Sequence, residues 1–276
     1  MFPAEADAIS VLIAHRASAG DYSTAADLPA LAAALTIDLQ SVNGDRHLRV
    51  IYTDEPVVDL DDPDAELAMW AQRADEAAGG IAQAAILASG IGLLELRPIL
   101  YPSVLVEDRV AAAMTTLSGA DALVIDARNC LGGSPDTVAL VCSYLFDGEP
   151  VHLNSMFERG DTAAEQWWTL SSVAGTRFGA RKPVAVLTSS ITFSGAEALA
   201  YDLQQLGRIT VVGEQTGGGA NPREGFRVQD HLEATIPVAR PINPVSGTNW
   251  ELVGVTPDIL CASGDALDRA LAFLAR

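Results

Sequence analysis

The sequence predicts an α/β protein: a mostly parallel sheet covered by helices, preceded by a small helical domain. Three observations carry this. From Ile91 onward, short apolar runs rich in β-branched residues alternate with segments of helical spacing, the pattern of strands joined by crossover helices. Before residue 80, apolar residues recur mainly at helical spacing. Two glycine-rich loops directly follow strand-like runs, at the ends where such sheets gather ligands.

In chain order, residues 5–43 read as two packed helices, one striped by Ile9, Leu12 and Ile13 and the other by Leu28, Leu31, Leu35 and Leu39. Turn-rich Ala19 to Ser23 separates them. Asn43-Gly44 signals a turn, after which Leu48, Val50 and Tyr52 alternate as in a strand or docking segment, with His47 at its start. Acidic Asp54 to Asp64 reads as a connector, and Ala65 to Ala78 as a helix stopped by Gly79-Gly80. The expected division is a helical domain over 1–80 and an α/β domain over 81–276. In the latter, Ile91–Leu96, Ala122–Asp126, Val184–Leu187 and Ile209–Val212 read as strands, and Val106–Leu117, Asp136–Leu145 and Glu197–Leu206 as helices.

With 276 residues, 49% of them hydrophobic and 19% charged, the chain can bury a substantial core. Its net charge of −19 repels a nucleic-acid backbone and an anionic membrane surface. No apolar run reaches the ~18 residues of a membrane span. Cys130, Cys142 and Cys261 are odd in number and lack CxxC spacing, which argues against a disulfide framework or a zinc cage and predicts reduced core thiols. Neither a phosphate-binding loop nor a dinucleotide fingerprint occurs, so no cofactor and no metal are expected. The N-terminus lacks the pattern of an export signal, so a cytoplasmic location is expected unless the sequence is a trimmed mature form.

Pro183 to Leu206 is the stretch with the clearest chemistry. A buried strand, a sharp turn and a helix place Ser194 near a helix N-terminus, where unpaired N–H groups favour developing negative charge. Ser194 is therefore a candidate nucleophile. Ser194-x-x-Glu197 is equally a capping box, which needs no catalysis to explain it. A serine needs a base, and the only lysine, Lys182, lies at the far end of the preceding strand. The remaining bases are His15, His47, His152 and His231.

Four ordered motifs narrow this: ADALVIDARNCLGGSP, KPVAVLTSSITFSGAE, GRITVVGEQTGGGANP and IPVARPINPVSGTNWELVGVTPDI. Together they resemble peptidase family S41, which includes C-terminal processing peptidases, the tricorn protease core and interphotoreceptor retinoid-binding protein. Residues 91–276 carry most of the resemblance, and the helical segment with GDRHL resembles the N-terminal part of the retinoid-binding branch. It implies a crotonase/ClpP-like spiral of ββα units. It also implies Ser194 as nucleophile, His47 as base and Glu251 as the group favouring the imidazolium, with Gly195 and the Gly132-Gly133 loop as the oxyanion hole. The lysine base of the processing peptidases falls where this chain has Gly219.

Two departures stand out. Leu131 interrupts what is often an Asn-Gly-Gly-Gly run, with an expected effect on the oxyanion pocket, and Asn221 replaces a frequent histidine. The implied function is a serine hydrolase acting on peptide or small acyl substrates, with a homo-oligomer left open. Two alternatives remain. One is a binding protein for an apolar, retinoid-like or fatty-acid-like molecule walled by Trp70, Trp167, Trp168, Phe178 and Trp250. The other is reuse of the fold for an acyl or cyclisation reaction in biosynthesis.

Overall fold

The computed structural model describes residues 3–57, 63–158, 160 and 163–275. The middle of the expected Asp54 to Asp64 connector, residues 58–62, lies outside the described residues. The elements in order are α1 (Pro3–Ala19), α2 (Leu28–Gln40), β1 (Arg49–Tyr52), α3 (Pro63–Glu76), β2 (Ile81–Ile86), β3 (Ile91–Leu96), α4 (Ser103–Leu117), β4 (Ala122–Asp126), α5 (Pro135–Ser143), β5 (His152–Glu158), β6 (Glu165–Trp168), β7 (Val184–Thr188), α6 (Gly195–Gln205), β8 (Thr210–Gly213), β9 (Arg223–Gln229), β10 (Leu232–Pro237), β11 (Ala239–Ile242), β12 (Ile259–Leu260) and α7 (Ala266–Leu274).

Contacts divide the chain into two units. The first combines Met1–Met69, Phe157–Ala164 and Asn221–Arg240; the second combines Trp70–Met156, Glu165–Ala220 and Pro241–Arg276. In the first unit, Gly20 in the left-handed region (φ 82) breaks the chain between α1 and α2. Asp27 then caps α2 by accepting the Ala30 N–H at 2.9 Å. The hydroxyl oxygen of Thr36 on α2 accepts the Val50 N–H at 2.9 Å and donates to the Val50 carbonyl at 3.1 Å, which ties the helix to β1. β1 is antiparallel to β10, Arg49 facing Thr235 and Tyr52 facing Leu232, and β10 is antiparallel to β9. The strand read from Leu48 to Tyr52 is therefore paired with chain about 180 residues later.

The second unit holds a six-stranded sheet in the order β12-β8-β7-β4-β3-β2. The strands from β3 to β12 are mutually parallel and β2 is an antiparallel edge. β4 and β7 are buried at every residue, which is why they read as continuous apolar runs. Alternate residues serve opposite faces. Leu123, Ile125, Val184 and Val186 join the large core with α4, α5 and α6, while Val124, Ala185 and Leu187 join Ala266 and Ala270 of α7 in a smaller one. Three helices begin a few residues before the predicted starts, at Pro63, Ser103 and Gly195. Among the described residues no helix is long and apolar enough to cross a membrane.

Candidate active site

β4 and β7 are parallel neighbours, Asp126 paired with Leu187, so their following loops emerge at the same end of the sheet. Side chains stitch the loops together. The Thr192 hydroxyl donates to the Ala127 carbonyl at 2.9 Å, the Ser189 hydroxyl to the Arg128 carbonyl at 2.6 Å, and the Phe193 N–H to the Cys130 carbonyl at 3.2 Å. The result is a tight elbow that ends on Ser194, whose backbone is at φ 50, ψ −123. A non-glycine residue there costs on the order of 1–3 kcal/mol and persists only when neighbours over-determine it.

Glu197 is the chief neighbour. It is fully buried, and its carboxylate accepts the N–H of Ser194 at 2.8 Å, the hydroxyl of Thr216 at 2.5 Å and the N–H groups of Gly218 and Gly219 at 2.7 and 2.9 Å. Burial pushes its pKa up and these four bonds pull it back, leaving a net rise. The Ser-x-x-Glu capping box is therefore present, and the same glutamate also holds a second loop. Sequence spacing gave the first half of that role and no signal for the second.

Three glycines close on the elbow. A Cβ at Gly132 would lie 2.6 Å from Ser194 Cβ, one at Gly133 2.1 Å from the Leu100 oxygen, and one at Gly195 2.5 Å from the Gly133 oxygen. Only bare backbone allows that approach. Among the described residues no acceptor takes the N–H of Gly132, Gly133 or Gly195. Leu131 does not crowd them: its side chain is 53% exposed, and its N–H is fixed on the Pro98 carbonyl at 2.8 Å. Cys130 beneath the loop is buried, with its thiol pushed up to about 11 by burial, so it is not a competing nucleophile.

Glu251 belongs to the same unit and sits in a turn laced to the 216–220 loop. Its Oε2 accepts the Ala220 N–H at 2.6 Å, Trp250 Nε1 donates to the Gly219 carbonyl at 3.0 Å, and the Leu252 N–H donates to the Gly218 carbonyl at 2.9 Å. A Cβ at Gly219 would lie 2.1 Å from Cζ of Phe193, so a side chain there needs that ring to move. Lys182 is engaged elsewhere, its ammonium bonded to the Ser118 carbonyl and 4.7 Å from the centre of the Phe178 ring.

His47 lies in the first unit, in the loop between α2 and β1. It is buried; its N–H donates to Asp45 Oδ1 at 2.8 Å, and its carbonyl accepts from the Thr235 hydroxyl. Asp45, also buried, accepts from Asn221 Nδ2 at 3.1 Å. The residue standing where relatives often carry histidine thus braces the His47 loop. Asp45 had no marker in the sequence beyond its turn. Burial foremost, then Arg49, Arg223 and Arg46, lowers the His47 pKa to about 3, so the imidazole is neutral at neutral pH.

The aromatic residues proposed as pocket walls do not form one wall. Phe178 and Trp250 are core residues, 3% and 2% exposed, Trp70 packs edge-on to Tyr101, and only Trp167 and Trp168 line a cleft together.

Two family profiles match the chain. A sequence profile described as peptidase family S41 matches residues 91–261, and one described as the N-terminal domain of Peptidase_S41 in eukaryotic IRBP matches residues 2–79. The chloroplastic carboxyl-terminal-processing peptidase 2 of Arabidopsis thaliana is 33% identical over 152 residues, which are 54% of this chain and 28% of that protein. The chain thus spans little more than a quarter of that relative's length. Among solved structures, a candidate peptidase from Parabacteroides merdae aligns over 90% of this chain and 83% of its own, at 18% identity and a TM-score of 0.60. A lipoprotein from Streptococcus agalactiae aligns over 91% and 83%, at 14% identity and the same TM-score. At those identities the likeness is one of fold.

Proposed function

The chain belongs to peptidase family S41, and from that premise we propose that it is a serine peptidase working through Ser194, His47 and Glu251 on peptide or peptide-like acyl bonds. The observation that carries the reading is the strained Ser194 elbow with three glycine N–H groups around it. In this mechanism Ser194 Oγ attacks the carbonyl, and His47, neutral beforehand, takes the proton and returns it to the leaving group. Glu251 favours the imidazolium that forms in between. Gly195 and the Gly132-Gly133 loop hold the oxyanion, and losing one such donor typically costs ~100-fold or more in rate. Glycine at position 219 and the engagement of Lys182 support a histidine base over a lysine base.

Reaction of the purified chain with a fluorophosphonate tests this. The expected adduct maps to Ser194 by mass spectrometry, disappears in Ser194→Ala and falls at least ~100-fold in rate in His47→Ala. A folded wild-type protein that never forms the adduct sinks the proposal. The apolar-ligand alternative is not favoured, because Phe178 and Trp250 are core and the five aromatic residues form no single wall.

A further inference from the structure

A cleft of roughly 320 Å³ opens in the second unit between the start of α4, the first turns of α5 and strand β6. Trp167, Trp168 and Leu140 form apolar walls, and Glu107, Asp136 and Glu165 supply carboxylates. No lysine, arginine or histidine lines it among the described residues. Trp168 is 42% exposed and is held by stacking against His152, ring centroids 4.6 Å apart and 15° from parallel. Asp136 is fixed by the N–H and hydroxyl of Ser103 at 2.9 and 2.6 Å. Among the described residues, neither Glu107 nor Glu165 has a basic partner for its charge.

Apolar surface beside carboxylates suits an organic cation with an apolar stem, which gains Coulomb attraction while its methylenes cover that surface. A neutral apolar group would gain only the second of these. An anion would meet three carboxylates on a chain of net charge −19. Position selects among cations. Asp136 follows Gly133 by three residues, so the two Cα atoms are at most ~11 Å apart, and the Ser134 hydroxyl is bonded to the Asp136 carboxylate. A peptide whose reacting carbonyl lies over the Gly132-Gly133 loop spans that distance in three or four residues.

We propose that this cleft is a substrate subsite for an arginine or lysine side chain a few residues from the scissile bond. The proposal rests on the serine-peptidase reading for its place in the reaction, and it names a preference which that reading leaves open.

The test uses the full chain and acetylated alanine pentapeptide amides carrying a single arginine, or a single norleucine, at each position in turn. Each peptide is scored by how well it protects Ser194 from fluorophosphonate and, separately, by tryptophan fluorescence titration. Arginine at one or two positions is expected to bind about tenfold more tightly than norleucine. The double variant Glu107→Gln, Glu165→Gln should lose that preference while its labelling rate without peptide stays at the wild-type value. Equal binding of arginine and norleucine at every position overturns the subsite, as does a preference that survives the double variant. If Ser194 fails to label, the fluorescence titration still decides whether the cleft takes the cation, so the failure of one reading is not mistaken for the failure of the other.

Discussion

At the scale of single residues, the site is a set of groups held in states they would not adopt alone. His47 is kept neutral by burial and by Arg49, Arg223 and Arg46, with its pKa near 3 against an ordinary 6.5. A histidine whose folded pKa is depressed contributes stability that is fully present above the ordinary value and is lost as pH falls toward the folded one. Urea unfolding of wild type and His47→Gln should therefore run in parallel above about pH 6.5, with wild type losing up to a few kcal/mol relative to the variant as pH falls to 4. Parallel curves throughout would mean the imidazole is not shielded. Gly219 makes a second case. A methyl group there collides with the Phe193 ring, so Gly219→Ala should cost ~1–3 kcal/mol and slow labelling of Ser194, and Phe193→Leu added to it should recover part of both. Additive losses in that double-mutant cycle would show that the two positions do not share the space.

At the scale of elements, α6 organises the second unit from both of its faces. Its first turn holds the elbow through Glu197. Farther along, Asp202, with no exposed surface, accepts the amides of Asn154 on β5 at 2.8 Å and of Asn243 at 2.9 Å. Asn243 in turn accepts the N–H groups of Val245 and Ser246, shaping the turn that leads to Trp250 and Glu251. Burial raises the Asp202 pKa to about 7, only partly offset by the two amides, and the buried Cys142 thiol of α5 is the titratable group it acts on. Here the sign is the reverse of that for His47. A carboxyl with a raised folded pKa contributes stability that is complete below its unfolded value of about 4 and is lost as pH climbs toward 7. Asp202→Asn should be less stable at pH 4, where its own amide meets two other amides, and should lack the decline between pH 4 and 7. A decline that persists in the variant would assign it to another group.

At the scale of the whole molecule, legibility in the sequence followed burial. β4 and β7 were plain because both faces are covered, and Ser194 was plain because strand, elbow and helix are contiguous in sequence. β9 was not: all of Arg223 to Gln229 is exposed or half-exposed, and its apolar alternation is only Phe226 and Val228, too short to read as a strand. β12 is only two residues long and β11 contains a proline, so neither offers a run to read. Asp45 and the loop-holding half of Glu197 act across long sequence separations, which local patterns do not encode. The same contrast predicts dynamics. Amides of β4 and β7 should exchange with deuterium far more slowly than those of β1, β9 and β10, and comparable protection by mass spectrometry would contradict it.

The pairing of β1 with β10 also sets a schedule for synthesis. Tyr52 leaves the ribosome about 180 residues before its partner Leu232, a wait on the order of 10–40 s at ordinary elongation rates. For that interval Arg49 to Tyr52 is a strand without a sheet, and the His47 loop lacks the Thr235 hydroxyl that later holds its carbonyl. A nascent chain of this protein therefore spends most of its synthesis with that edge open to a chaperone or to another chain, and completes the first unit only when the hairpin of β9 and β10 arrives.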